Sequence, residues 1–154
     1  MILVSACLIG ENCKYDGGNN YCEAVIDYLS DKPYISICPE VCGGLRTPRT
    51  PSEIINGAVI DKYGNDKSAA FASGAEEAAL ICDSLNIKLA ILKEYSPSCG
   101  VSYIYDGSYN GRKISGSGIT AALLRRQGVT VWSEKDVVRN SSPKTLAGIQ
   151  QMSR

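Results

Sequence analysis

Four short apolar runs constrain this chain more than any other feature. They are residues 2–6 (Ile-Leu-Val-Ser-Ala), Tyr34–Ile37, residues 88–92 (Lys-Leu-Ala-Ile-Leu) and residues 129–132. A short, nearly continuous apolar run suits a strand covered on both faces, and strands that alternate with helices need crossovers that make the sheet parallel. Helical patterns fill the gaps. Cys22, Val25, Ile26 and Leu29 recur at helical spacing before Pro33, and residues 68–85 are Ala-rich with Phe71, Ala75, Ala78, Ala79 and Cys82 on one stripe. Residues 117–126 read as a helix stopped by Gly128, and a short helix begins at Ser133 or Glu134. The expected fold class is α/β: three layers, a mainly parallel sheet of about four to five strands with helices on both faces, and small β-hairpin additions. One hairpin is expected from residues 58–61 with the Gly64-Asn65 turn, another from residues 103–105 with Asp106-Gly107 and Asn110-Gly111.

At 154 residues and 44% hydrophobic, the chain fits a single domain over residues 1–139, followed by a polar, loosely packed tail at 140–154 that contains Pro143 and Gly148. Sixteen basic residues balance sixteen acidic ones, which removes the electrostatic drive for binding a nucleic acid duplex. The opening MILVSACLIG is too short, and too soon interrupted at Ser5, for a signal peptide or a membrane span. A cytoplasmic protein with no membrane partner is expected.

The chain has no histidine and seven cysteines. Ser-His-Asp and Cys-His catalysis are thereby excluded, as is every imidazole-ligated metal. Cys7, Cys38 and Cys99 each fall at or just beyond the carboxyl end of an expected strand, the edge at which open α/β sheets bind ligands. Cys13, in the loop after Cys7, is the reserve fourth member. No C-x-x-C pair is present, which disfavours structural zinc. An iron-sulfur cluster accepts scattered ligands, and one held by three cysteines keeps an open iron. Spacing alone leaves a cluster, zinc and no metal all open. Cys22 and Cys82 fall on apolar helix faces and read as packing, and Cys42 is ambiguous.

Arg46 and Arg49 flank a Gly- and Pro-rich loop over residues 43–51 and could clamp an anionic or carbonyl-bearing ligand. Tyr15, Tyr103 and Tyr105 could stack on a heterocycle. The run Gly116-Ser117-Gly118-Ile119-Thr120-Ala121 imitates a dinucleotide fingerprint, but no buried strand precedes it. It reads instead as a helix start whose N–H groups could face a small anion or a carbonyl.

Several motifs together carry a resemblance. Ser5-Ala6-Cys7-Leu8-Ile9-Gly10, Cys13-Lys14-Tyr15-Asp16-Gly17, Cys38-Pro39-Glu40-Val41, Gly43-Gly44-Leu45, Thr47-Pro48-Arg49 and Ser96-Pro97-Ser98-Cys99-Gly100 are similar to the domain of unknown function 523 family, the TudS-type thiouracil desulfidases. The similarity spans residues 2–134; Lys14 and Cys42 depart from the family's pattern. The resemblance implies a 4Fe-4S cluster on three cysteines from among Cys7, Cys13, Cys38 and Cys99. Its open iron would take sulfur from a thiolated pyrimidine such as thiouracil, giving uracil without net redox change. It also implies acid–base roles for Glu40 and Ser96. Ser98, Gly43 and Gly44, on loops beside the crevice, join Arg46 and Arg49 as expected substrate-binding residues. Iron-sulfur assembly machinery is the expected protein partner. The alternatives are a cluster-free sulfur carrier or thiol-redox protein, and a metal-stabilised binding module.

Overall fold

The four apolar runs do become one parallel sheet. The computed structural model describes residues 1–140, with strands β1 (Ile2–Ser5), β2 (Tyr34–Ile37), β3 (Ser52–Ile55), β4 (Ala58–Asp61), β5 (Leu89–Leu92), β6 (Tyr103–Tyr105), β7 (Lys113–Ser115) and β8 (Thr130–Ser133). The helices are α1 (Glu23–Leu29), α2 (Pro39–Cys42), α3 (Ser68–Ser84), α4 (Ile119–Arg126) and α5 (Glu134–Asn140). The main sheet has the order β2-β1-β5-β8, with every neighbouring pair parallel.

Successive side chains of a strand point to opposite faces, and here both faces are covered. Leu3, Ala90, Leu92 and Val131 pack with Ala78, Ala79 and Cys82 of α3 and with Ala121 and Leu124 of α4. Ile2, Val4 and Ile91 pack with Val25 and Leu29 of α1 and Val137 of α5. This is the expected three-layer α/β arrangement, and it explains why the strands read as continuous apolar runs. Cys82 is buried in the first cluster and Cys22 packs half-buried against the second.

One hairpin differs from the sequence expectation. The turn that builds it is Asn56-Gly57, joining β3 to β4, and both residues have positive φ, +51° and +80°. A two-residue hairpin turn needs that backbone at both positions, and Asn-Gly supplies it. The Gly64-Asn65 turn only folds Asp66 back against Ile60. The second hairpin, β6 with β7, is as expected.

The short helix α2 was not legible as a helix, and its seat depends on two glycines. A Cβ on Gly74 would lie 1.8 Å from the Pro39 carbonyl oxygen, and one on Gly43 would lie 2.0 Å from that of Ala70. Only bare Cα atoms let the α2 and α3 backbones approach this closely. Among the described residues no helix is long and apolar enough to cross a membrane. The expected tail beyond Asn140 lies outside the described residues.

Candidate metal centre

Cys7, Cys13, Cys38 and Cys99 line one cavity of about 500 Å³ at the carboxyl ends of β1, β2 and β5. Cys7 follows β1 in a 3-10 turn (Ala6–Ile9), and Cys38 lies between β2 and the first turn of α2. Cys99 lies beyond the end of β5 rather than at it. It sits in the loop after β5, which folds back to bring it there.

Two devices shape that loop. Glu94, 4% exposed, uses Oε1 to accept the backbone N–H groups of Val101, Ser102 and Tyr103 at 2.7, 2.9 and 3.2 Å. The start of α4 donates the N–H groups of Gly118, Ile119 and Thr120 to the carbonyls of Gly100, Pro97 and Ser98 at 2.8–2.9 Å. The Gly116–Ala121 motif therefore docks the Cys99 loop. The N–H groups of Gly116, Gly118, Ile119, Thr120 and Ala121 are spent on protein carbonyls.

The thiols feel one another. Cys38 is pulled down to about 6, first by its hydrogen bond with the Cys13 thiol and further by the Val41 backbone and Arg49. Cys13 is pushed upward by the same bond and by burial. Burial raises Cys7, with the Cys38 charge adding to it and Lys93 opposing it. Cys99, fully enclosed, is pushed up to about 12 by burial, against a 3.2 Å hydrogen bond from the Ser5 hydroxyl. Cys42 is exposed on α2 and is absent from the cavity lining.

A hydrogen-bonded relay runs along the same wall. Ser98 Oγ donates to Glu40 Oε2 at 2.7 Å and lies 2.9 Å from Ser96 Oγ. Because Ser98 spends its one proton on Glu40, Ser96 is the donor in the second bond. Ser96 Oγ in turn accepts the N–H groups of Ser98 and Cys99 at 3.1 and 3.0 Å. The other carboxylate oxygen of Glu40 meets Arg49 Nε at 3.0 Å, with the side chains only 14% and 9% exposed.

Arg49 lines the cavity but serves the scaffold. Its guanidinium also holds the Cys13 carbonyl at 2.8 Å and Thr47 Oγ1 at 2.9 Å, and it reaches Cys38 Sγ at 3.9 Å. Arg46 is exposed and contributes its carbonyl to Arg49 at 3.3 Å. Neither Arg46 nor Gly43 nor Gly44 lines the cavity, since Gly43 is committed to the α2–α3 contact. Tyr15 and Tyr105 line it, whereas Tyr103 is half exposed and lies outside.

Ser5, Lys93, Glu94 and Glu134 were missed by the sequence reading. Ser5 had a signal, as the one polar residue in the 2–6 run, and it is 2% exposed. The other three act through contacts between distant segments.

The donor set can be tested against the metal alternatives. Among the described residues, no three Cys, Asp or Glu side chains converge tightly enough to hold a single ion. Sulfur donors spread around a roomy cavity fit a polynuclear iron-sulfur cluster, for which thiolates are the normal protein ligands.

Comparison with known proteins agrees. The chain is 40% identical over 147 residues to the uncharacterized protein YbbK of Bacillus subtilis (strain 168), a match covering 89% of this chain and 97% of that protein. The solved structure of a 4Fe-4S-dependent thiouracil desulfidase, TudS, superposes with a TM-score of 0.85 at 41% identity, covering 94% of this chain and 97% of the other. The family model described as 2-thiouracil desulfurase matches residues 2–136. With the family model spanning residues 2–136 and a solved relative at 41% identity superposing over 94% of its length, the chain belongs to the 2-thiouracil desulfurase family.

Proposed function

We propose that this protein is a 4Fe-4S-dependent desulfidase that replaces the sulfur of a thiolated pyrimidine such as thiouracil by oxygen. The observation that carries the reading is the coincidence, around one cavity, of the Cys7, Cys13, Cys38 and Cys99 thiols with the Glu40–Ser98–Ser96 relay. Family membership and the solved relative support it. Cys7, Cys38 and Cys99 would hold the cluster, with Cys13 in reserve. Bound there, the cluster supplies a Lewis-acidic iron with affinity for a thiocarbonyl sulfur.

The rest of the chemistry belongs to the chain. A thiocarbonyl and one water become a carbonyl and hydrogen sulfide with no net change of oxidation state, and the demands of that exchange are a base for water and a proton for sulfur. With no histidine available, Glu40 is the group that accepts the proton from water. Arg49 fixes one of its oxygens and the Ser98 hydroxyl marks the other. Ser96 and Ser98 supply a path along which a proton returns. Residues 1–139 act as one catalytic unit, and iron-sulfur assembly machinery loads it.

The test is turnover of 2-thiouracil before and after anaerobic reconstitution with iron and sulfide, in one preparation. Uracil and sulfide released only by the reconstituted, brown protein support the reading. Equal turnover by the cluster-free chain overturns it in favour of a thiol-based sulfur carrier.

A further inference from the structure

We propose that Lys93 is the residue that recognises the exocyclic oxygen of the heterocycle, and so selects oxygen-bearing thiopyrimidines over thiones that lack one. This rests on the desulfidase reading and adds a specificity-determining residue to it.

The sheet order sets the scene. Glu40 follows β2, Cys7 follows β1 and Lys93 follows β5, so in the order β2-β1-β5 the carboxylate and the ammonium flank Cys7 from its two sides. Lys93 lines the cavity, and its charge acts on the Cys7 thiol. Its position is built. Nζ meets Glu134 Oε2 at 3.0 Å and donates to the Glu94 carbonyl at 2.9 Å. Its backbone N–H donates at 3.0 Å to the same Ser5 hydroxyl that is bonded to Cys99. The side chain is 22% exposed and that of Glu134 15%.

An ammonium has three N–H donors; these acceptors engage two, and the centroid of the Tyr95 ring lies 5.2 Å from Nζ. The other cations of the cavity are committed elsewhere or more exposed. Arg49 is committed to Glu40, Thr47 and the Cys13 carbonyl. Lys14 pairs with Asp16 at 3.8 Å, and Lys62 is exposed. Lys93 is therefore the most buried cation of the cavity with a donor left for substrate, its side chain 22% exposed against 35% for Lys14.

The reaction needs such a donor. A flat ring held only through its sulfur is free to turn, and the carbon under attack must face the Glu40 relay. A second, directional contact at another exocyclic position of the ring fixes it. Uracil and its thio derivatives carry an oxygen acceptor there, and an ammonium in a poorly solvated site makes the stronger, charge-assisted kind of hydrogen bond to it.

The experiment compares 2-thiouracil with pyrimidine-2-thione, which lacks the oxygen, on reconstituted wild type and Lys93→Met. The expected result is a loss of roughly tenfold to hundredfold in kcat/KM for 2-thiouracil, shared between KM, for the lost contact, and kcat, for the lost orientation. Pyrimidine-2-thione turnover, iron content and visible absorption should stay as in wild type. An equal loss on both thiones, or unchanged selectivity, overturns the inference. Calorimetry of uracil binding to the full chain prepared without cluster gives a readout that survives poor iron loading. Binding weakened in Lys93→Met by the factor seen in KM supports the inference, and equal binding overturns it. Lys93-dependent uracil binding without any thione turnover would sink the desulfidase reading alone, whereas the absence of both would sink the two together.

Discussion

The Ser98 hydroxyl donates to the Glu40 carboxylate at 2.7 Å, and that contact ties the segment after β2 to the segment after β5 across the cavity. Each segment also carries a candidate cluster ligand, Cys38 beside Glu40 and Cys99 beside Ser98. Thiols and proton-transfer groups are thus placed by the same two loops.

The ligand assignment predicts which cysteines matter. Serine at Cys7, Cys38 or Cys99 should each abolish bound iron and sulfide after reconstitution, measured chemically and by visible absorption. Serine at Cys22 or Cys82 should leave both intact. Full iron loading of the Cys38→Ser protein would disprove the assignment.

Glu40→Gln should keep the cluster and lower kcat by about 10²- to 10⁴-fold, the usual worth of general acid–base catalysis. Ser98→Ala should cost less, since the base survives. The two losses should not add in the double variant, because the residues share one hydrogen bond. Additive effects on kcat would show that they act separately.

Thiol reactivity of the cluster-free chain should follow the perturbed titrations. The thiolate is the nucleophile, so Cys38, lowered to about 6, is ionised at neutral pH, while Cys99, near 12, and Cys82, near 11, stay protonated. Alkylation mapped by mass spectrometry should reach Cys38 first at pH 7.5. Its rate should fall as pH drops through about 6, the sign expected when acid removes a thiolate. Faster labelling of Cys99 in the folded chain would contradict this.

Gly74→Ala should destabilise the fold by about 1–3 kcal/mol, the range for overpacking, because its Cβ would fall 1.8 Å from the Pro39 carbonyl oxygen. The strain should push α2, with Glu40, away from α3. Denaturant unfolding should show the loss, and reconstitution should show poorer iron retention. Wild-type values for both would mean that the two backbones can part without consequence.

Much of the architecture was determined by the sequence alone. Continuous apolar runs at residues 2–6 and 88–92 can only be covered on both faces, so the parallel three-layer sheet follows from local pattern, as do the boundaries of α1 and α3. Cys7, Cys13, Cys38 and Cys99 could be gathered on paper for the same reason, since strand ends of such a sheet share an edge. Their mutual contacts, and everything that positions them, could not. Arg49 looked like a free ligand clamp and is instead held by Glu40 and the Cys13 carbonyl, nine and thirty-six positions away. Gly43 looked like a site residue and is a helix-packing contact. The hairpin turn moved to Asn56-Gly57, and the Gly116–Ala121 motif became the dock for the Cys99 loop. Those outcomes depend on hydrogen bonds and close approaches between segments far apart in the chain. Sequence periodicity reports which face of an element is buried, but partners across a cavity are chosen only when the sheet, its crossovers and the bound loops come together.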